Sequence, residues 1–196
     1  PAEIDQTLAV LDQFKGDYVI ASGSLPRGAA EDTYARMAAI AARNGARFVL
    51  DTSGEPLKLA LAHGGIFLVK PSIGELETAS GRKLDATTVG EAAMGLVTSG
   101  KAQHVAVTLG ADGALLASAD GVVRLPAADV PVRSAVGAGD AFVGAFIWSL
   151  TDGKQVTDAF RFAVAAGAAA VMTSGTELCR KDDIHAIYSQ LRPVAG

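Results

Sequence analysis

Short apolar runs and helical patterns take turns along this chain, and that alternation restricts its fold more than any other feature. Residues 18–21, Tyr-Val-Ile-Ala, read as a strand that ends in the turn Ser22-Gly-Ser-Leu-Pro-Arg-Gly28. Residues 30–43 carry helical spacing and stop at Asn44-Gly45, a C-terminal cap signal. The next strand, 47–51, runs into Thr52-Ser-Gly54; Pro56 then opens a helix to His63, which Gly64-Gly65 ends. Residues 66–69 form another strand, closing on Lys70-Pro-Ser72. The pattern then predicts helices over 73–80 and 88–99, a strand over 104–109, and a hairpin of 113–118 and 122–125 about an Asp-Gly turn. Helices follow over 138–150, 155–173 and 182–191. Such alternation predicts an α/β fold, a mostly parallel sheet with helices on both faces. No repeat, low-complexity tract or linker breaks it, so residues 1–196 read as a single domain.

Ligands of parallel sheets sit at the carboxyl ends of the strands. Segments 22–28, 51–54, 70–75 and 108–113 all follow strands, and are expected on one edge of the sheet. A further segment is expected beside them, Ser134-Ala-Val-Gly-Ala-Gly-Asp-Ala-Phe-Val-Gly144, a glycine-rich turn that enters an apolar helix with Asp140 at the junction. Its glycines let the backbone approach a ligand, and the amides of the first helical turn face an anion. A carboxylate beside such amides suits phosphoryl transfer: Asp140 takes the proton of an attacking hydroxyl while the amides meet phosphate charge. Taken alone, the segment reads equally well as a capped tight loop. The dinucleotide fingerprint lacks its third glycine, where Phe142 stands, and no Gly-x-x-x-x-Gly-Lys-Ser/Thr run occurs.

Composition narrows the partners. A net charge of −4 gives no electrostatic case for nucleic acid or an anionic membrane. No apolar stretch is long enough to span a bilayer, and no signal peptide is visible. The single cysteine, Cys179, cannot form an internal disulfide and fits a reducing, cytoplasmic setting. His63, His104 and His185 lack metal-ligand spacing and read as surface or cap positions.

With these motifs in this order, the chain resembles the phosphofructokinase-B branch of the ribokinase-like sugar kinases from Ser22 to Cys179. Ser22–Gly28 resembles the family's phosphosugar turn. Val69-Lys-Pro-Ser-Ile-Gly-Glu-Leu76 is similar to its Lys-Pro-Asn-x-x-Glu segment. Thr108-Leu-Gly-Ala-Asp-Gly113 is similar to the nucleotide loop, and Val136-Gly-Ala-Gly-Asp140 to the catalytic turn. Within the branch the likeness is strongest to the minor ATP-dependent 6-phosphofructokinases, supported by Ala165-Ala-Gly and Gly175-Thr-Glu-Leu-Cys179.

The resemblance implies roles. Asp140 would be the general base, and Gly137, Ala138 and Gly139 the anion hole for the transferring phosphoryl group. Ser24 would bind the phosphosugar, Lys70 and Ser72 the nucleotide phosphates, and Glu75 Mg²⁺ through water. Thr108, Leu109, Gly110, Ala111, Asp112 and Gly113 would wrap ribose and adenine, with Val164 and Ala168 lining the adenine slot. Read without the family, Val164 and Ala168 are core positions first, Ser24 and Asp112 turn residues, and Glu75 a solvated helix residue. Ser134, Val136, Ala170, Thr173, Gly175 and Glu177 match the positions that hold a monovalent cation, K⁺, largely through carbonyls.

The chain departs from the family in two ways. Ser72 stands where the family has asparagine, a shorter side chain with one hydroxyl in place of an amide. The family's N-terminal strands and β-sheet lid, which grip the sugar and pair subunits into a homodimer, are not represented upstream of Pro1. The chain by itself is therefore expected to have little kinase activity and to expose an apolar edge. The expected reaction is ATP-dependent phosphorylation of fructose 6-phosphate to fructose 1,6-bisphosphate. The alternatives in the same class are 1-phosphofructokinase and tagatose-6-phosphate kinase; the alternative of another class is a nucleotide-binding fragment without turnover.

Overall fold

Residues 2–192 are described by the computed structural model, and their elements follow the expected alternation. In chain order these are α1 (Ala2–Asp12), β1 (Tyr18–Ser22), α2 (Thr33–Arg43), β2 (Arg47–Asp51), α3 (Gly54–His63), β3 (Ile66–Val69), α4 (Ile73–Ser80), α5 (Thr88–Thr98) and β4 (Ala102–Thr108). A 3-10 turn at Gly110–Asp112 leads to β5 (Ala114–Ser118) and β6 (Gly121–Leu125). Then come α6 (Ala138–Thr151), α7 (Val156–Val171) and α8 (Lys181–Gln190). The strands form a mostly parallel six-stranded sheet in the order β1 to β6, with β1/β2, β2/β3 and β3/β4 paired parallel. Contacts divide the chain into two compact units: one runs to Val107 and includes Ala117–Val122, the other holds Thr108–Leu116 and the chain from Val123 onward. No helix of the described residues is long and apolar enough to cross a membrane.

In the first unit, strands flanked on both sides are apolar on both faces, as parallel sheets require. Every residue of β3 is buried, as are Phe48, Val49 and Leu50 of β2. β1, at the sheet edge, alternates instead and leaves Ile20 46% exposed. The register sets Ser22 beside Asp51, and the Lys70 N–H donates to the Leu50 carbonyl at 3.0 Å, so β1, β2 and β3 end level.

The strand–helix reading contains no α1. This helix buries Leu8, and the Asn44 side chain closes it by donating to the Leu11 and Asp12 carbonyls, each at 3.0 Å. Those are carbonyls that a helix end leaves without an internal partner. Arg36–Asp5 and Arg43–Asp12 ion pairs add to the join. α3 begins at Gly54, before the expected Pro56, behind an extended Ser53. A proline in the first helical turn loses nothing, because its missing N–H has no intrahelical acceptor.

His104 is not the surface or cap residue expected. It is half-buried on β4, its ring edge-on to Phe67 at 5.0 Å; Phe67 in turn meets Tyr18 at 5.7 Å, and the Arg47 guanidinium lies over both of those rings. The His104 Nδ1 is buried without a hydrogen-bond partner. Burial holds the imidazole below its ordinary pKa and the Arg47 charge pushes the same way, while the Asp120 charge pulls it back up. The unfolded chain therefore binds more protons than the folded one as pH falls through about 6.5, and stability drops with it. The denaturation midpoint is expected to fall between about pH 7.5 and pH 5.5, and His104→Phe to flatten that fall. An unchanged pH slope in the variant would remove His104 as its cause.

The second unit is built on α6 and α7. Phe142 meets Phe146 and Phe160 at centroid distances of 6.2 and 6.1 Å. A Cβ on Gly167 would lie 3.4 Å from the Ala138 carbonyl, so the missing side chain allows the close approach of the two helices. α8 is held by Tyr188, whose phenol donates to Asp158 at 2.7 Å beneath the Arg161 guanidinium. α7 ends at Val171, short of the expected 173, because the Met172 and Thr173 amides turn back to Ala169 and Ala170.

Candidate active site

In the first unit, the expected binding residues follow the level ends of β1, β2 and β3. Ser24 is exposed in the turn after β1, next to Gly23, whose φ of +96° suits glycine. Lys70, directly after β3, is buried, and its Nζ lies 3.1 Å from Oδ1 of Asp51 at the end of β2. Adjacent parallel strands that end together place these two charges side by side. The sequence reading names Lys70 and misses its partner.

Ser72 caps α4. The Glu75 amide donates to the Ser72 Oγ at 3.3 Å, and the Ser72 amide donates to the Glu75 Oε2 at 2.7 Å. This is a capping box, in which each side chain satisfies the other's backbone N–H. The serine found in place of asparagine thus has a structural function of its own, and one oxygen of the Glu75 carboxylate is engaged within the helix start. The Ser-x-x-Glu spacing signals this box in the sequence.

In the second unit, Thr108 ends β4 and the loop to Gly113 folds on itself. The Leu109 amide donates to the Gly113 carbonyl at 2.8 Å, and the Asp112 and Gly113 amides close the 3-10 turn. Gly110, Ala111 and Asp112 are exposed. Gly113 cannot be replaced cheaply: a Cβ there would sit 2.1 Å from the Leu125 carbonyl oxygen, at a φ of +90°. Val164 is buried in α7 and Ala168 is half-buried there.

Gly137, at φ +80°, is the N-cap of α6, and Asp140 is exposed in the helix's first turn. The amides of Gly137 and Gly139 have no protein acceptor among the described residues, while the Ala138 amide turns back to the Ala135 carbonyl at 3.4 Å. These amides stand at the positive end of the helix dipole. The residues expected around a monovalent cation are tied together nearby in the chain. The Thr173 hydroxyl lies 2.8 Å from both the Ala170 and Glu177 carbonyls. The Ser134 hydroxyl reaches the Gly175 carbonyl at 3.5 Å and accepts the Val136 amide at 3.2 Å. A shallow depression of about 480 Å³ along α1, lined by Ala9, Val10, Gln13, Phe14 and Lys15, contains none of the expected site residues.

Residues 2–183 match the family model described as pfkB family carbohydrate kinase. The chain is 40% identical over 183 residues to ATP-dependent 6-phosphofructokinase isozyme 2 of Escherichia coli, covering 93% of this chain and 59% of that protein. It is 41% identical over 183 residues to 1-phosphofructokinase of Rhodobacter capsulatus, covering 91% and 57%. Among solved structures, phosphofructokinase-2 from Escherichia coli in complex with potassium matches with a TM-score of 0.91 at 37% identity, over 96% of this chain and 62% of that one. The chain thus spans less than two thirds of the length of these relatives.

Proposed function

This chain belongs to the pfkB family of carbohydrate kinases, and from that premise we propose that it carries the nucleotide-binding and proton-accepting machinery of an ATP-dependent sugar-phosphate kinase. Fructose 6-phosphate, phosphorylated at C1, is the proposed acceptor.

The observation that carries the reading is the start of α6. A glycine at positive φ, amides without protein acceptors and an exposed carboxylate stand within one helical turn. In the proposed step the acceptor hydroxyl oxygen bonds to the γ-phosphorus, its proton passes to Asp140, and the bond from γ-phosphorus to the bridging oxygen breaks to release ADP. The Gly137 and Gly139 amides stabilise the charge carried by the transferring group. Lys70 adds a cationic point charge for the nucleotide phosphates.

Mg²⁺ fits as an ion that arrives with ATP. No group of three or more His, Cys, Asp or Glu able to hold a metal is found among the described residues. Oε2 of Glu75 is bound to its own helix start, so Glu75 would hold a hydrated ion through water. The Ala170, Gly175 and Glu177 carbonyls, with the two hydroxyls beside them, suit K⁺, and a related kinase has been crystallised with that ion.

A second reading, a 1-phosphofructokinase reaction, is favoured by the 41% identity to a relative of that name, against 40% to the 6-phosphofructokinase. The test pairs calorimetry of Mg²⁺–ATP on this chain with ADP release by the protein as its gene encodes it. Fructose 6-phosphate, fructose 1-phosphate and tagatose 6-phosphate serve as acceptors. Binding, and turnover fastest with fructose 6-phosphate, is expected. Absence of ATP binding overturns the proposal, and binding without turnover on any acceptor supports a nucleotide-binding module instead.

A further inference from the structure

Two buried hydroxyls from separate elements meet on a single carbonyl beneath the turn that holds Ser24. Tyr34, in the first turn of α2, donates its phenol to the Gly23 oxygen at 2.9 Å. Thr52, just past β2, donates its hydroxyl to the same oxygen at 2.8 Å. Tyr34 is 6% exposed and Thr52 5%, while Ser24 is open to solvent. On the other side of Gly23, its amide donates to the Asp51 carbonyl at 2.9 Å.

A carbonyl oxygen has two lone pairs, and here both are taken. In a planar trans peptide the carbonyl of one residue and the N–H of the next point in opposite directions. Fixing the Gly23 oxygen toward the buried hydroxyls therefore aims the Ser24 N–H away from them. That N–H has no protein acceptor among the described residues. Without the two hydroxyls the peptide could turn at little cost, because glycine lacks a Cβ to hold it.

We propose that Tyr34 and Thr52 are positioning residues that lock the Gly23–Ser24 peptide, so that the Ser24 N–H and hydroxyl meet the anionic phosphosugar already oriented. The inference rests on the reading of this turn as the phosphosugar site. Burial keeps the Tyr34 phenol above its ordinary pKa, against a smaller downward pull from Thr52, so the phenol remains a donor at neutral pH. Neither hydroxyl touches substrate; both act through Ser24.

The test uses the protein as its gene encodes it, with Tyr34→Phe, Thr52→Val, the double variant and Thr52→Ser. Phenylalanine keeps the ring and valine the branched shape, so each change removes mainly the donor. Each single change is expected to raise the phosphosugar KM about threefold and the double about tenfold or more, with the KM for ATP within about twofold of wild type. Thr52→Ser, which keeps the hydroxyl, should retain the wild-type value. An unchanged phosphosugar KM in the double variant overturns the proposal, whatever happens to its melting temperature. Should the double variant fail to fold, Tyr34→Phe decides by the same criterion. If the wild-type protein turns over no phosphosugar, the functional reading has failed, and the lock is judged by titrating inorganic phosphate while following the Ser24 amide by NMR. A wild-type shift that the variants lose supports it; equal shifts in both, or none in the wild type, overturn it.

Discussion

Asp140→Asn is expected to keep ATP binding and to lose turnover by about a hundredfold or more, the scale of removing a general base. Asparagine preserves shape but cannot accept the hydroxyl proton. Asp140 is exposed in the first turn of α6, outside the buried core. The carboxylate also interacts favourably with the helix dipole, a contribution of up to about 1 kcal/mol that the variant gives up. Melting temperature, ATP calorimetry and steady-state kcat on the same preparation separate the effects. Turnover within a fewfold of wild type would remove Asp140 from the chemistry and leave it as a helix-start residue.

Strands were the most legible part of this sequence, for a physical reason. A parallel sheet covered by helices demands unbroken apolar runs such as Ile66–Val69, and those short runs stand out where glycine turns and polar residues bound them. Helix ends were less legible, because they depend on caps that use side chains from elsewhere. Asn44 was visible as the stop of α2, but its closure of α1 depends on where α1 packs. Ser72 shows a different difficulty. Compared with a family that has asparagine there, it looks like a weakened ligand; compared with its own neighbour Glu75, it is one half of a capping box. Tyr34 and Thr52 carry no motif at all. They become related only because the end of β2 and the start of α2 lie against the same turn. His104 lost its place on the surface in the same way, through the neighbouring strand's Phe67.

The pairing of Lys70 with Asp51 combines stability and function in one contact, and substitution can divide them. Lys70→Met is expected to cost about 3 kcal/mol, the lower part of the range for leaving one partner of a buried ion pair uncompensated. The lower figure is chosen because the Asp51 side chain keeps 16% of its surface exposed, against 8% for Lys70. The same variant should bind ATP about tenfold or more weakly, as a charge-assisted contact to phosphate is lost. Adding Asp51→Asn removes the stranded charge, and stability measured by urea denaturation should recover to within about 1 kcal/mol of wild type. ATP affinity should not recover, because no cation has returned. The two readouts therefore move apart in the double variant only if the ammonium serves the nucleotide as well as the fold. If affinity recovers along with stability, Lys70 acts only as the counter-ion of Asp51, and the phosphates must find their positive charge elsewhere.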